Sequence, residues 1–456
     1  MCGFSGFITT DDRVLTRAEA TVKKMALALK HRGPDDAGAW VEASSGIALG
    51  FRRLSILDLS SAGHQPMLSS SGRFALTFNG EIYNHIDLRY ALEAQGWSAP
   101  WRGHSDTETL LAGCEAWGLE ETLKLTVGMF AIAFYDRQEQ SLLLARDRFG
   151  KKPLYVHQNE HSLSFASEVR VLMRMHPYLN RVSTQQVSNW LFWQTIPGGT
   201  LLEGIEELAP GSYAYVKAGQ MISQGSYVLE NPYAGLNVSR EEALKDVKNK
   251  VTAAVEKRLV SDVPFAAFLS GGVDSSIITA IAGQRLGKDL HTFTVSFDES
   301  DFSEHHIAAE VAKRYQSQHH EIRLNPQDFL DLLPEGLAAT DHPSGDGLNT
   351  YVVSKHTQAA GFKMALSGIG GDEWFLGYPY FRRMSDWQKR SWLSKGAGLQ
   401  SFLPFDKRKG MEIASAVSKF GGNAYAFQRL LFDQTSIEDL FNLDKPTLFP
   451  SAEKGP

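Results

Sequence analysis

The chain has 456 residues, 43% of them hydrophobic and 21% charged, an ordinary composition for a globular protein long enough for two domains. Its net charge is -6, with Lys and Arg scattered along the length, which argues against the concentrated basic face that a nucleic-acid partner requires. No apolar run approaches the ~18 residues of a membrane span, and the N-terminus lacks a basic-then-apolar signal, so a cytoplasmic location and no membrane partner are expected. Two cysteines, Cys2 and Cys114, leave no disulfide framework and fit a reducing compartment.

In chain order, Thr16 to Lys30 reads as a helix, with Thr16 and Glu19 as a capping box and Val22, Met25, Ala26 and Leu29 as its apolar stripe. Strand-like runs follow at Phe74–Phe78, Met129–Tyr135, Ser141–Ala145, Leu163–Ala166 and Tyr213–Val216, an antiparallel α+β pattern. Residues 221–238, rich in Gly, Pro, Asn and Ser, read as a linker. Ser239 and Glu242 then cap a helix with Leu244, Val247, Val251, Ala254 and Leu259 as its expected buried stripe. Strands at Phe265–Leu269, His291–Phe297, His320–Leu324 and Lys363–Leu366 alternate with helices at Val273–Leu286, Glu304–Arg314 and Tyr351–Ala360. That alternation implies a parallel, doubly wound α/β sheet. The expected division is therefore 2–220, a linker at 221–238, and 239–456.

Between a strand and a helix lies Ser270-Gly271-Gly272-Val273-Asp274-Ser275-Ser276. Glycines let the backbone approach an anion, and the helix N-terminus offers N–H groups to it. Asp274 beside a phosphate makes sense only with a bridging cation, so Mg²⁺ is inferred. No Walker A string occurs. An isolated Ser-Gly-Gly would be an ordinary turn; seven residues in this context resemble the pyrophosphate loop of ATP-pyrophosphatases. Ser367-Gly368-Ile369-Gly370-Gly371-Asp372-Glu373 follows another strand, and Asp372 is a candidate second ligand for Mg²⁺.

The chain begins Met1-Cys2-Gly3. Removal of Met1 would leave Cys2 with its own α-amine, of pKa near ~7.7–8.0, as a general base beside the thiol. By itself a cysteine at position 2 is more simply a chance residue. Three further segments change the balance. Arg53-Leu54-Ser55-Ile56-Leu57-Asp58 offers an arginine that could pair a substrate carboxylate in bidentate fashion. Asn79-Gly80-Glu81 follows a strand and could form an oxyanion hole from the Asn79 amide and the Gly80 N–H. Ser105-Asp106-Thr107-Glu108 offers a carboxylate for an α-ammonium group. Together these suit a free amino acid such as glutamine.

The ordered motifs MCGFSG, HRGPDD, RLSILD, NGEIYN, SDTET, DRFGKKPLY, LSGGVDSS and SGIGGDE resemble those of glutamine-dependent asparagine synthetases of the bacterial type, from Cys2 to about Tyr380. The resemblance implies an N-terminal-nucleophile glutaminase sandwich of antiparallel sheets and helices, followed by an ATP-pyrophosphatase domain. Cys2 would form a thioester with glutamine, and Asn79 and Gly80 would hold the oxyanion. Glutamine would be bound by Arg53, Leu54, Ser55, Ile56, Leu57, Asn79, Gly80, Glu81 and Asp106. ATP would meet Leu269, Ser270, Gly271, Gly272, Val273, Asp274, Ser275, Ser276, Val295, Ser367 and Gly368, with Mg²⁺ on Asp274 and Asp372. Ammonia would then displace AMP from an activated aspartate.

Two departures stand out. Ile369 occupies the adenylation-site position where better-known members carry glutamate, which opens the acceptor to carboxylates other than aspartate, as in polysaccharide or natural-product amidotransferases. No RVPFLD-like motif with its lysine occurs between Tyr380 and Pro456. The expectation is that the synthetase domain is incomplete, and that the polypeptide hydrolyses glutamine but forms asparagine poorly. A glutaminase joined to a non-synthetic nucleotide-binding domain is the third reading. The oligomeric state stays open, a homodimer included.

Overall fold

The computed structural model describes residues 1–194, 196, 198–228, 237–297, 304–379, 381 and 382. Twelve strands build the first part: β1 (Gly3–Thr9), β2 (Asp36–Glu42), β3 (Ile47–Arg53), β4 (Met67–Leu68), β5 (Phe74–Ile82), β6 (Gly128–Asp136), β7 (Ser141–Arg146), β8 (Tyr155–Gln158), β9 (Ser162–Ala166), β10 (Glu206–Glu207), β11 (Ser212–Lys217) and β12 (Gln220–Ser226). They form two six-stranded sheets, ordered β10-β8-β9-β1-β3-β2 and β12-β11-β7-β6-β5-β4. The neighbours in both sheets pair antiparallel.

Side-chain alternation explains why two sheets stack. Phe4, Ile8, Leu49 and Phe51 of one sheet share a core with Ala75, Ala131, Ala133, Leu142 and Leu144 of the other. The opposite face of the second sheet, with Leu76, Phe78, Ile132 and Phe134, packs on Leu110, Leu111 and Cys114 of helix Asp106–Trp117. Helix Ala18–Ala28 covers the first sheet: a Cβ on Gly50 would sit 2.9 Å from the Val22 carbonyl oxygen. The first part is thus a layered sandwich of two antiparallel sheets with helices on its outer faces.

Four further strands, β13 (Ala266–Phe268), β14 (His291–Phe297), β15 (Gln318–Leu324) and β16 (Ala365–Leu366), form a parallel sheet ordered β15-β14-β13-β16. The chain runs outward from β13 to β15 and then returns to the far side of β13. The order therefore reverses between β13 and β16, and open α/β sheets bind ligands at the carboxyl ends of strands flanking such a reversal. Both faces are covered, Ala266 packing in one cluster and Ala267 in another.

Of the described residues, those within 1–179, 204–341 and 349–367 form one compact unit, which contains the three sheets; those within 180–203, 342–348 and 368–382 form a second. The second unit carries helix Thr184–Trp193, capped by Ser183, and the short helix Gly371–Phe375.

Several sequence expectations are corrected. The Thr16/Glu19 capping box does not form: a short helix, Asp12–Leu15, ends at Thr16, and the next begins at Ala18 without a side-chain cap. Its apolar stripe is nonetheless buried as expected. Asn79, Gly80 and Glu81 do not follow a strand; they are the end of β5, opposite Ala131, Phe130 and Met129. The stretch read as linker opens with β12, and its residues 229–236 lie outside the described residues. The Ser239–Glu242 capping box forms, but Leu244 and Val247 are exposed and Val255 is the buried residue of that helix. Readings that fall on Tyr380 and on 383–456 also lie outside the described residues.

Candidate functional site

Cys2 precedes β1 and shares the parity of Phe4 and Ile8, so it packs on the layer between the two antiparallel sheets. Its Sγ accepts from the Leu54 main-chain N–H at 3.3 Å and faces the Leu54 carbonyl at 3.6 Å. Arg32 Nε donates to the Cys2 carbonyl at 3.0 Å, and Arg32 is paired in turn with Glu168 at 3.1 Å. Burial pushes the thiol pKa up, against which the Leu54 N–H and the nearby Lys152 ammonium act. With Met1 in place the α-amine is that of Met1, and burial lowers it to about 5. The Met1 amine is thereby a free base near neutral pH. Cys114, by contrast, is buried in a helix, with its pKa driven far up by desolvation.

Asn79 shares the parity of Ala75 on β5 and therefore points into the same inter-sheet layer as Cys2. It is 1% exposed, and among the described residues its Nδ2 has no hydrogen-bond partner. A buried amide donor left unpaired costs about 1–3 kcal/mol, which is understandable where a substrate oxygen is to be received. Gly80 is required at its position, because a Cβ would lie 2.3 Å from the Met129 carbonyl oxygen of β6.

Asp106 begins helix Asp106–Trp117, where Ser105 is the cap, and accepts from the Ile82 N–H at 2.8 Å. It is 7% exposed, and burial raises its pKa to about 6. Glu81 is raised to about 7, first by burial and then by Asp106. Lys152, 5% exposed, is lowered to about 8 by burial, while Cys2 and Glu81 pull it up. These mutual effects gather the thiol, two carboxylates and an ammonium into one neighbourhood.

The Arg53–Asp58 loop adjoins it through Leu54. Arg53 itself is buried, and its terminal nitrogens donate to the carbonyls of Ser60 at 2.8 Å, Leu57 at 3.4 Å and Asp58. The bidentate fork expected for a substrate carboxylate is thus engaged with its own loop and shapes it. Ser55, Ile56 and Leu57 stand partly exposed along the loop.

Sequence reasoning gave no role to Arg32, Lys152 or Glu168. Arg32 and Lys152 stood within HRGPDD and DRFGKKPLY as members of a motif without a chemistry of their own, and the burial of Lys152 carries no periodic signal.

At the other site, the chain leaves β13 through Leu269, whose side chain is fully buried with Ala308 and Ala312 and whose N–H is given to the Phe293 carbonyl at 2.8 Å. Val295 packs in the sheet's own core. The side chains of Leu269 and Val295 are therefore committed to the core. Gly271 has φ +92° and comes close to the Glu304 carbonyl, so glycine is needed there. Ser270 Oγ lies 3.1 Å from Ser275 Oγ and accepts from Gly272 N at 3.3 Å. Helix Val273–Leu286 starts immediately after, with Asp274 in its first turn and Val273 exposed. A Cβ at Gly272 would meet only Ser270 Oγ, at 3.4 Å, so the backbone there is open to an approaching anion.

Ser367 follows β16, next to β13 in the sheet. Gly368, Ile369 and Asp372 belong to the second unit, where Ile369 is 75% exposed and Asp372 lies in the first turn of a five-residue helix. Among the described residues no group of three His, Cys, Asp or Glu side chains is placed to hold a metal ion. No helix among the described residues is long and apolar enough to cross a membrane.

Residues 1–228 match the family described as glutamine amidotransferase domain. The chain belongs to that family. Residues 246–440 match asparagine synthase. An asparagine synthetase (glutamine-hydrolyzing) 1 of Bacillus subtilis is 33% identical over 386 residues, covering 84% of this chain and 60% of that protein. A putative asparagine synthetase (glutamine-hydrolyzing) of Mycobacterium tuberculosis is 32% identical over 405 residues, covering 84% and 61%. A Gibberella zeae protein named amidase chry2 is 30% identical over 411 residues, covering 84% and 60%. The chain thus spans about 60% of the length of these relatives.

Proposed function

We propose that this polypeptide carries the glutamine-hydrolysing site, and the nucleotide loops, of a glutamine-dependent asparagine synthetase. The observation that carries the reading is the thiol of Cys2 on the Leu54 main chain, in the same inter-sheet layer as the unpaired, buried Asn79 amide.

In this reading the Cys2 sulfur attacks the side-chain carbonyl carbon of glutamine. The carbonyl oxygen, now an oxyanion, is taken by the Asn79 amide and the Gly80 N–H. A neutral N-terminal amine, that of Cys2 once Met1 is removed, accepts the thiol proton and returns it to the departing nitrogen. Ammonia leaves, and water cleaves the thioester to glutamate. Asp106 and Glu81 hold the substrate ammonium, whose charge draws both back into the carboxylate form. The Arg53-shaped loop, through Leu54, Ser55, Ile56 and Leu57, reads the substrate's other end.

ATP is proposed as the second substrate, its phosphates on Ser270 to Ser276 and its remainder along Leu269, Val295, Ser367 and Gly368. Asp274, and by its motif Asp372, would hold Mg²⁺, which when bound offsets phosphate charge. Aspartate is the proposed acceptor and the cytoplasm the proposed setting. A second reading keeps both half-reactions on another carboxylate. Ile369, exposed at the position where better-known members carry glutamate, favours that reading, and the Gibberella relative bears the name of an amidase.

The test is glutamate release from glutamine by the parent and by Cys2→Ala, together with AMP and pyrophosphate formation with and without aspartate. Glutamate release that survives Cys2→Ala removes the glutaminase assignment. Glutamine-dependent AMP formation that ignores aspartate moves the acceptor to the second reading.

A further inference from the structure

The loop that reaches Cys2 is tied from outside its own sandwich. Asp262 lies four residues before β13 and Lys363 two residues before β16. The Asp262 N–H donates to the Ile56 carbonyl at 3.0 Å, and Ser261 Oγ reaches the same oxygen at 3.4 Å. Asp262 Oδ2 accepts from the Asp58 N–H at 2.7 Å and meets His104 Nε2 at 2.6 Å. Lys363 Nζ donates to Asp35 Oδ2 at 2.7 Å and approaches the Ser55 carbonyl at 3.5 Å, while Asp35 Oδ2 also accepts from the Ser55 N–H at 2.8 Å. The main chain of Ser55, Ile56 and Asp58 is therefore held on both sides of its bends, one residue from the Leu54 contact to the thiol.

We propose that Asp262 and Lys363 are positioning residues for glutamine: they fix the Arg53–Asp58 loop in its substrate-reading shape from the amino ends of β13 and β16. The inference rests on the reading that this loop binds glutamine. Three features favour it over ordinary surface pairing, which is worth little. Asp262 bonds main-chain groups of one short loop directly, and Lys363 reaches the same loop chiefly through Asp35, whose carboxylate accepts from the Ser55 N–H. Asp58 has φ +56°, a left-handed conformation that a non-glycine residue adopts at a cost, and Asp262 holds its N–H there. The same face adds a third contact, the Arg258 guanidinium 4.2 Å from the centroid of the Tyr83 ring, close to Glu81. The strands chosen as anchors are the two whose carboxyl ends lead into Ser270–Ser276 and Ser367, so one pair of strands serves the nucleotide loop at one end and the glutamine loop at the other.

The experiment is steady-state glutamate release by the full chain, with Asp262→Ala, Lys363→Met and Lys363→Arg compared with the parent. The rate of Cys2 alkylation by iodoacetamide is measured alongside. Loss of charge-assisted bonds to the loop should raise the KM for glutamine about tenfold in Asp262→Ala and about threefold in Lys363→Met. In both, kcat should stay within about twofold and the alkylation rate should stay parental, and Lys363→Arg should restore the parental KM. Lys363 is partly exposed, so its variants keep the test decisive even where Asp262→Ala fails to fold. A parental KM in Lys363→Met overturns the brace while leaving the glutaminase reading intact. A fall in kcat and alkylation together with KM also overturns it, because the residues then serve the fold at large. A parent that releases no glutamate overturns the glutaminase reading, and the brace with it.

Discussion

Asp106→Asn should make the protein more stable and a worse binder of glutamine. The carboxyl is raised by burial from an ordinary 3.8 to about 6, about two units, or ~3 kcal/mol at 1.36 kcal/mol per unit. A folded-state pKa above the unfolded value means that the folded protein binds more protons between the two. For this acid the cost to stability therefore begins as pH rises through 3.8 and is complete above about 6. Asparagine keeps an oxygen for the Ile82 N–H but loses charge-assisted bonding, a loss of about 1 kcal/mol. The net gain is then about 2 kcal/mol at pH 8 and well under 1 kcal/mol at pH 5, where roughly half of the cost is present in the parent. The assay is the thermal unfolding midpoint of parent and variant at both pH values, with the KM for glutamine at pH 8. The KM should rise more than about tenfold, because the substrate ammonium loses a charged partner. A variant destabilised equally at pH 5 and pH 8 would refute the claim that this carboxylate is strained by burial. An unchanged KM would remove it from the glutamine site.

Glu81, raised to about 7, and Asp106, raised to about 6, must both be ionised to hold an ammonium, so kcat/KM for glutamine should fall as pH drops from 8 to 5.5, and Asp106→Asn should flatten that limb. Gly80→Ala places a Cβ 2.3 Å from the Met129 carbonyl oxygen and should cost about 2–3 kcal/mol, read as a lowered unfolding midpoint. Lys152→Met removes a cation that favours the Cys2 thiolate and should slow iodoacetamide alkylation of Cys2 at pH 7.5 by about threefold, with Cys114 unlabelled until the protein unfolds.

The parallel sheet was the most legible part of the sequence. His291–Phe297 and Val273–Leu286 occur with the bounds their patterns suggested, because a buried strand and the helix packed on it give an apolar run followed by a long periodic one. β1 was missed because every residue of Gly3–Thr9 is buried, so no polar alternation marks it. Asn79-Gly80 has the composition of a turn, yet Gly80 is there for the close approach of β6. The exposed Leu244 and Val247 show the limit of helical periodicity: it identifies an apolar face without naming what lies against it. Cys2, Asn79, Gly80 and Asp106 stand out as candidates because their chemistry sits in short local motifs. Asp262 and Lys363 do not, because their bonds to the loop span 204 and 308 residues and leave no local trace.

If Cys2 is the nucleophile, glutamine hydrolysis passes through a thioester on its sulfur. The most direct measurement is mass spectrometry of the intact protein mixed rapidly with glutamine and quenched in acid. The expected result is a thioester adduct of the glutamyl group on the N-terminal peptide containing Cys2, absent in Cys2→Ala, with glutamate release lost in the same variant. An unmodified Cys2 beside steady glutamate release, or an adduct on another residue, would contradict it.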